Sequence, residues 1–490
     1  MVRLLLLCLS LLLASCEQPP TNAIRFGLAT APINLDPRFA TDASSERITR
    51  LIYQQLVDFD VQARPVPALA NWEKLTPQHY RFSLLGNAVF HNGQPLLAAD
   101  VAATYRSILD PATASPHFGA LSMIDRIDVI DTHTIDFHLN RVDMLFPGFL
   151  TIGILPALDL KENYPFHIRP MGSGAFRFID WNEQQLILAR NSDAQQFIFE
   201  QVKDPTMRVL KLLRGEIDLL QNDLPPELLT DLASRPGLHV LRAPGNNFTY
   251  IGFQLEDAVS SDPRVRRAIA LAIDRQAIIK YVFNGGARLA AALLPPEHWA
   301  GHPKLKTIGY DPAAARRLLR EAGYSKQRPL PLSYKTSSDP FRVRIATILQ
   351  QQLAQVGISV TVQSYDWGTF FGDIKAGRFQ MYSLAWVGIK SPDIFRYAFH
   401  SVSLPPDGAN RGRLQNAAVD ALIDQAASAT TRADQARYYQ DLQAYLLDLL
   451  PYVPLWYEDQ YAVSSDHIQG YTLAADGAYD ALMTTHRVAP

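Results

Sequence analysis

The chain has 490 residues, 48% hydrophobic and 19% charged, so it is long enough for two or three domains and too apolar for a disordered chain. Its 46 Lys and Arg nearly balance 48 Asp and Glu, and no basic block stands out, which argues against nucleic acid as a partner. With two Cys, neither a disulfide framework nor a Cys-based zinc site can be built.

The opening segment reads as a leader. Met1-Val2-Arg3 is a short basic start, and residues 4–13 are mostly apolar, too short for a bilayer span of roughly 20 residues and right for a signal-peptide core. It ends in Leu13-Ala14-Ser15-Cys16, which resembles a lipobox, where a Cys after small residues is diacylated and becomes the new N-terminus. Cys8 leaves with the leader. The polar, Pro-rich residues that follow suit a tether over 16–23, and acyl chains would hold the protein at a membrane surface. The expected location is periplasmic or cell-surface, anchored through Cys16.

Downstream, residues 23–29 alternate as an opening strand, and residues 44–56 place Ile48, Leu51, Ile52 and Leu56 on one helical face. Residues 80–84 and 88–93 read as short strands with an Asn92-Gly93 turn, 100–109 as a helix, and 124–139 as two strands turning at Asp131-Thr132-His133. Residues 263–282 read as one long helix. Asp311-Pro312 caps a helix that Gly323 closes. Residues 330–334, 341–356 and 358–363 form a strand-helix-strand unit, which should cross over right-handed into a parallel pair. A helix over 366–375, a strand over 379–387, an irregular loop over 388–413 and a helix over 433–449 complete the order.

No catalytic signature is present: no Gly-x-Ser-x-Gly elbow, His-Glu-x-x-His helix, Walker-type loop or dinucleotide-binding glycine pattern. Gly172-Ser173-Gly174 is a small-residue turn with no His partner evident, and the twelve His are scattered with no pair at ligand spacing. No catalytic residue, metal ligand or cofactor is therefore assigned. The stretch from Tyr382 to Gly388, an apolar strand ending in Trp386 and Gly388 before an irregular loop, is where open α/β sheets hold ligands. Trp386 is either a wall of that site or core.

Several stretches together resemble the family 5 extracellular solute-binding proteins of ABC importers, the peptide, nickel and opine class. They are Asn34-Leu35-Asp36-Pro37, Ala68-Leu69-Ala70-Asn71-Trp72-Glu73, and the signature Phe90-His91-Asn92-Gly93-Gln94-Pro95-Leu96 with Asp100-Val101. Gly172-Ser173-Gly174-Ala175-Phe176, Asp262-Pro263-Arg264-Val265-Arg266-Arg267-Ala268-Ile269 and Ala272-Ile273-Asp274-Arg275 follow in order.

The resemblance implies an α/β fold, the periplasmic binding protein of type II, with two lobes, a hinge and an extra inserted domain. It implies a first lobe from residues 24–56, 168–255 and 455–490, an extra domain over 57–167 and a second lobe over 256–454. Hinge crossings are expected near residues 252–255 and 455–457. Function is then capture of a small solute, most simply a short peptide or peptide-like molecule, and delivery to ABC permease and ATPase subunits. A metal-chelate receptor of the same fold and, in a different class, a secreted hydrolase are the alternatives. The implied ligand wall is Thr30, Asn34, Asn247, Phe253, Tyr382, Trp386, Gly388, Lys390, Asn410 and Arg411. Where peptide receptors of this class carry an Asp for the α-ammonium, this chain reads Ile389-Lys390, and a Lys there suits a carboxylate or another anion.

Overall fold

The computed structural model describes residues 22–488; the leader and Cys16 lie outside them. An eleven-stranded mixed sheet runs through both lobes. In the first lobe Ile24–Leu28 lies parallel between Gln196–Gln201 and Leu219–Gln221, with Gln185–Arg190 and Phe176–Trp181 beyond. In the second lobe Leu330–Ser337 pairs parallel with Ile358–Tyr365 and with Met381–Trp386. The helix Pro340–Ala354 joins the first two, the strand-helix-strand unit read from the sequence.

Two long antiparallel strands, Leu238–Phe253 and Tyr452–Ser465, belong to both halves. Their pairing is interrupted between Ala243 and Asn247, opposite Gln460 and Glu458, and slips again at Thr249/Tyr250. The first interruption lies upstream of the expected crossing at 252–255; on the partner strand it falls at 458–460, just past the expected 455–457. The cause is local. Pro244 has no N–H to donate, and a side chain on Gly245 would sit 2.2 Å from the Glu458 carbonyl. Phe253, Leu455 and Trp456, within the expected crossings, are buried in the cluster that also holds Val265, Ile269 and Leu332.

The helix Ala43–Ile52 starts on Asp42, whose carboxylate accepts from Ser45 N–H at 2.9 Å. It ends four residues sooner than its apolar pattern suggests, because the Gly174 N–H takes the Ile52 carbonyl at 2.7 Å. Gly172 packs on that same carbonyl, leaving no room for a side chain. The expected helix over 263–282 is two helices, Pro263–Ala272 and Arg275–Tyr281, because Ile273 is extended and Asp274 caps the second at Ala277 N–H, 2.9 Å.

The inserted region has its own antiparallel sheet, in the order Ala70–Thr76, His79–Leu84, Thr134–Leu139, Ile124–Val129. One face packs Phe82, Ile135 and Phe137 against Tyr105 and Ile108 of the helix Ala98–Leu109, with Phe146 closing the cluster. Its strands alternate apolar and polar because only that face is covered. The domain meets the second lobe near Asp143 and Asp393. Burial, then the neighbouring Asp143, pushes the Asp393 carboxyl up to about 7, against the pull of Arg396 and Arg141. A raised folded pKa gives stability that is complete below about pH 4 and lost as pH rises towards 7. Asp393→Asn should therefore stabilise the protein more at pH 8 than at pH 5, by on the order of 1–2 kcal/mol, measured by denaturant melts at both pH values. An equal effect at both would show that Asp393 ionises normally.

Candidate functional site

The strand Met381–Trp386 runs antiparallel to Leu238–Phe253, with Trp386 opposite Phe248. Beyond Trp386 the chain leaves the sheet: Val387 is exposed and Gly388 takes a left-handed φ of 65°, a conformation that favours glycine. Three side chains then fix the backbone of residues 388–390. Asn247 Oδ1 accepts from Gly388 N–H at 3.3 Å, Asn246 Nδ2 donates to the Ile389 carbonyl at 3.1 Å, and His298 Nε2 donates to the Lys390 carbonyl at 2.9 Å. Burial lowers the His298 pKa to about 4, so the ring is neutral at pH 7; its Nδ1 accepts from Ala300 N–H at 3.0 Å.

With its backbone held, Lys390 extends across the interlobe space. Its Nζ lies 2.6 Å from Asp476 Oδ2, in the C-terminal tail of the first lobe, and 5.9 Å from the centroid of Phe59 in the extra domain. Asp476 is held in turn: its Oδ1 accepts from Ala478 N–H at 3.0 Å, and Asn246 N–H and Gln460 Nε2 both reach the Ala475 carbonyl at 3.1 Å. Burial opposes ionisation of Asp476, but the ammonium of Lys390 outweighs it and keeps the carboxyl below its ordinary range.

This ion pair stands in the wall of a cavity of about 370 Å³ lined by all three domains. The helix Ala43–Ile52 supplies Glu46, Arg47 and Arg50, the extra domain Phe59 and Phe149, and the second lobe residues 387, 388, 390 and 391. Arg50 is committed, bonding both oxygens of Asp480 (2.7–2.9 Å) and Asp58. Burial raises the Glu46 pKa despite Lys390 and Arg47 nearby.

The ligand wall expected from the sequence divides. Gly388 and Lys390 line the cavity, and Asn247 positions Gly388. Trp386 and Arg411 do not line it: Arg411 is buried, its guanidinium 4.8 Å from the Trp386 ring and 5.3 Å from that of Phe371, and it donates to Tyr250 Oη at 3.2 Å. Thr30 is exposed and Asn34 half-exposed in the loop after the first strand, where the Asn34 side chain accepts from Asp36 N–H; neither lines this cavity. Three expectations are corrected. Tyr382 is wholly buried, its ring filling the space that a side chain at residue 252 would occupy. Phe253 is equally buried, in the core of the second lobe. Asn410 is buried and clamps its own loop, its amide bonded to the His400 and Leu414 carbonyls and Leu414 N–H.

Glu46, Arg47, Arg50 and Asp476 were missed. The polar face of the helix over residues 44–56 was the available signal for the first three.

The Trp386 ring is partly buried, backed by Arg411, and directly precedes the lining residue Val387. Trp386→Ala is predicted to weaken ligand binding by about 2–4 kcal/mol in calorimetry. Unchanged affinity with a lowered Tm would make Trp386 a packing residue.

Residues 64–403 match the family described as bacterial extracellular solute-binding proteins, family 5 Middle. Heme-binding protein A of Haemophilus influenzae is 26% identical over 537 aligned residues, covering 96% of each chain. Di/tripeptide-binding protein 2 of Pseudomonas aeruginosa is 26% identical, covering 94% of this chain and 98% of its own. Among solved structures, the ABC transporter-associated periplasmic binding protein DppA from Helicobacter pylori, in complex with peptide STSA, superimposes with a TM-score of 0.82 at 25% identity, covering 95% of this chain and 98% of its own. With its two lobes, its inserted domain and a cavity between them, the chain belongs to the family 5 bacterial extracellular solute-binding proteins.

Proposed function

We propose that the protein captures a short peptide or peptide-like zwitterion between its lobes and delivers it to an ABC permease. The observation that carries the reading is the Lys390–Asp476 pair, an ion pair between lobes in the wall of a three-domain cavity. Beside it stand Arg47 and Glu46, of opposite sign and in no ion pair among the described residues. A ligand with one ammonium and one carboxylate exchanges the internal pair for two ligand pairs and strands no charge. A ligand with a single charge leaves one partner enclosed without a counterion, which is costly. The di/tripeptide-binding relative and the peptide-bound structural neighbour agree with this cargo.

Capture without chemistry also fits Gly172-Ser173-Gly174. Ser173 Oγ is buried with no hydrogen-bond partner among the described residues, and His91 Nε2 bonds the Gly174 carbonyl at 3.0 Å. A metal-chelate cargo would find a single imidazole, His117, in the cavity wall.

Small molecules co-purifying with the protein are expected to be peptides by mass spectrometry, and calorimetry against di- and tripeptides should show binding without turnover. Lys390→Met and Asp476→Asn should each weaken binding roughly 30-fold or more. The loss in Lys390→Met should shrink when the peptide carboxyl is amidated, and that in Asp476→Asn when the amine is acetylated. Peptide hydrolysis, or no binding by any peptide, would overturn the reading.

We further infer that Cys16 carries the lipid anchor, on the lipobox-like sequence before it and the polar tether after it. Cys16→Ser should then release the protein from membranes, with no acyl chains in its mass spectrum. An unmodified wild-type N-terminus would refute the anchor.

A further inference from the structure

The uncovered face of the extra-domain sheet carries a cluster that the cavity does not use. Strand pairing sets His79 directly opposite His138 and, two residues along on the same face, Asp136 opposite both Arg81 and Asp128. Residues 59 apart in sequence thus become neighbours, their rings 4.1 Å apart. His79 Nε2 lies 2.9 Å from Asp136 Oδ2, and His138 Nε2 lies 3.1 Å from Asp128 Oδ2. Donor atoms of His79, Asp136 and His138 all fall within 4.8 Å of one another.

The cluster is compact enough for its donor atoms to close on one ion. With metal–donor bonds of roughly 2.0–2.2 Å, neighbouring donors of a tetrahedral site stand roughly 3.3–3.6 Å apart. The supporting groups are also present. Arg81 grips Asp136 through Nε and Nη2, both at 2.8 Å, and Arg126 donates to Asp128 Oδ2 at 2.7 Å and meets His138 Nε2 at 3.2 Å. Arg81 holds Oδ1 through Nε and Oδ2 through Nη2, and so fixes the orientation of the carboxylate as an outer partner does. Arg126, 61% exposed, is free to swing into solvent. The His side chains are about a quarter exposed, at 23% and 24%, so an ion reaches them directly.

We propose that this face binds one divalent transition ion of the zinc or nickel class through His79, His138 and Asp136, with solvent completing the coordination. The ion takes the place of the contacts that now link these side chains to one another. None of the three residues lines the interlobe cavity, so the site is independent of the cargo.

The test is zinc titration of the untagged full chain by calorimetry, with bound metal counted by mass spectrometry. One zinc per chain is expected. His79→Gln and His138→Gln should each weaken binding at least tenfold, Lys390→Met should leave it unchanged, and Arg126→Ala, removing a competing cation, should tighten it several-fold. Thermal melts of each variant without metal check that the fold is kept. A wild-type chain that binds no zinc, zinc bound as tightly by either His variant as by the wild type, or binding lost in Lys390→Met would overturn the proposal.

Discussion

Everything that moves or binds in this protein hangs on two antiparallel strands shared by both lobes. Backbone hydrogen bonds along Leu238–Phe253 and Tyr452–Ser465 hold each lobe's half of the sheet as a stiff unit. The ladder is broken from Pro244 to Asn246, where a donor and a side chain are missing, and slips again at Thr249/Tyr250. A two-stranded connection interrupted in this way would permit bending about few axes, so that closure would bring the same pairs of groups together each time. Glu458, opposite that stretch, accepts from Thr249 Oγ1 and Arg342 Nη1, both at 2.8 Å, so the joint is braced electrostatically on the second-lobe side.

The cavity wall follows the logic of enclosed charge. In a low-dielectric cleft a charge without a partner is expensive, and Arg50 shows one solution, permanent neutralisation by Asp58 and Asp480. Lys390 and Asp476 show another, a pair whose members belong to different lobes and are therefore separable by the same motion that opens the cleft. Locally neutralised charges and the Lys390–Asp476 pair thus stand side by side in one wall.

Elements whose signals are local were legible in the sequence. The unit Leu330–Ser337, Pro340–Ala354 and Ile358–Tyr365 carries its own cap, Asp339, and its own alternation, and it folds as read. Boundaries failed where a distant group intervened: the helix Ala43–Ile52 stops because Gly174 claims its last carbonyl. The site was legible on one side only. The turn after Trp386 announces itself through Gly388, whereas Asp476 reaches the cavity through a tail far along the chain that no local pattern connects to it. Tyr382 and Phe253 look like wall residues because strand ends often are, yet both lie where the sheet is covered on both faces. His79 and His138 meet only through strand register, which spacing along the chain cannot reveal.

Asn246 joins two of these themes. Its backbone N–H bonds the Ala475 carbonyl, one residue before Asp476, and its side chain bonds the Ile389 carbonyl, one residue before Lys390. One residue at the broken stretch therefore tethers both carriers of the Lys390–Asp476 pair. Selection for a new cargo through the loop after Trp386 cannot then proceed without altering how readily the lobes part. Preference and rate of release are inherited together, and lineages of this receptor that diverge in what they carry should diverge in how long they hold it.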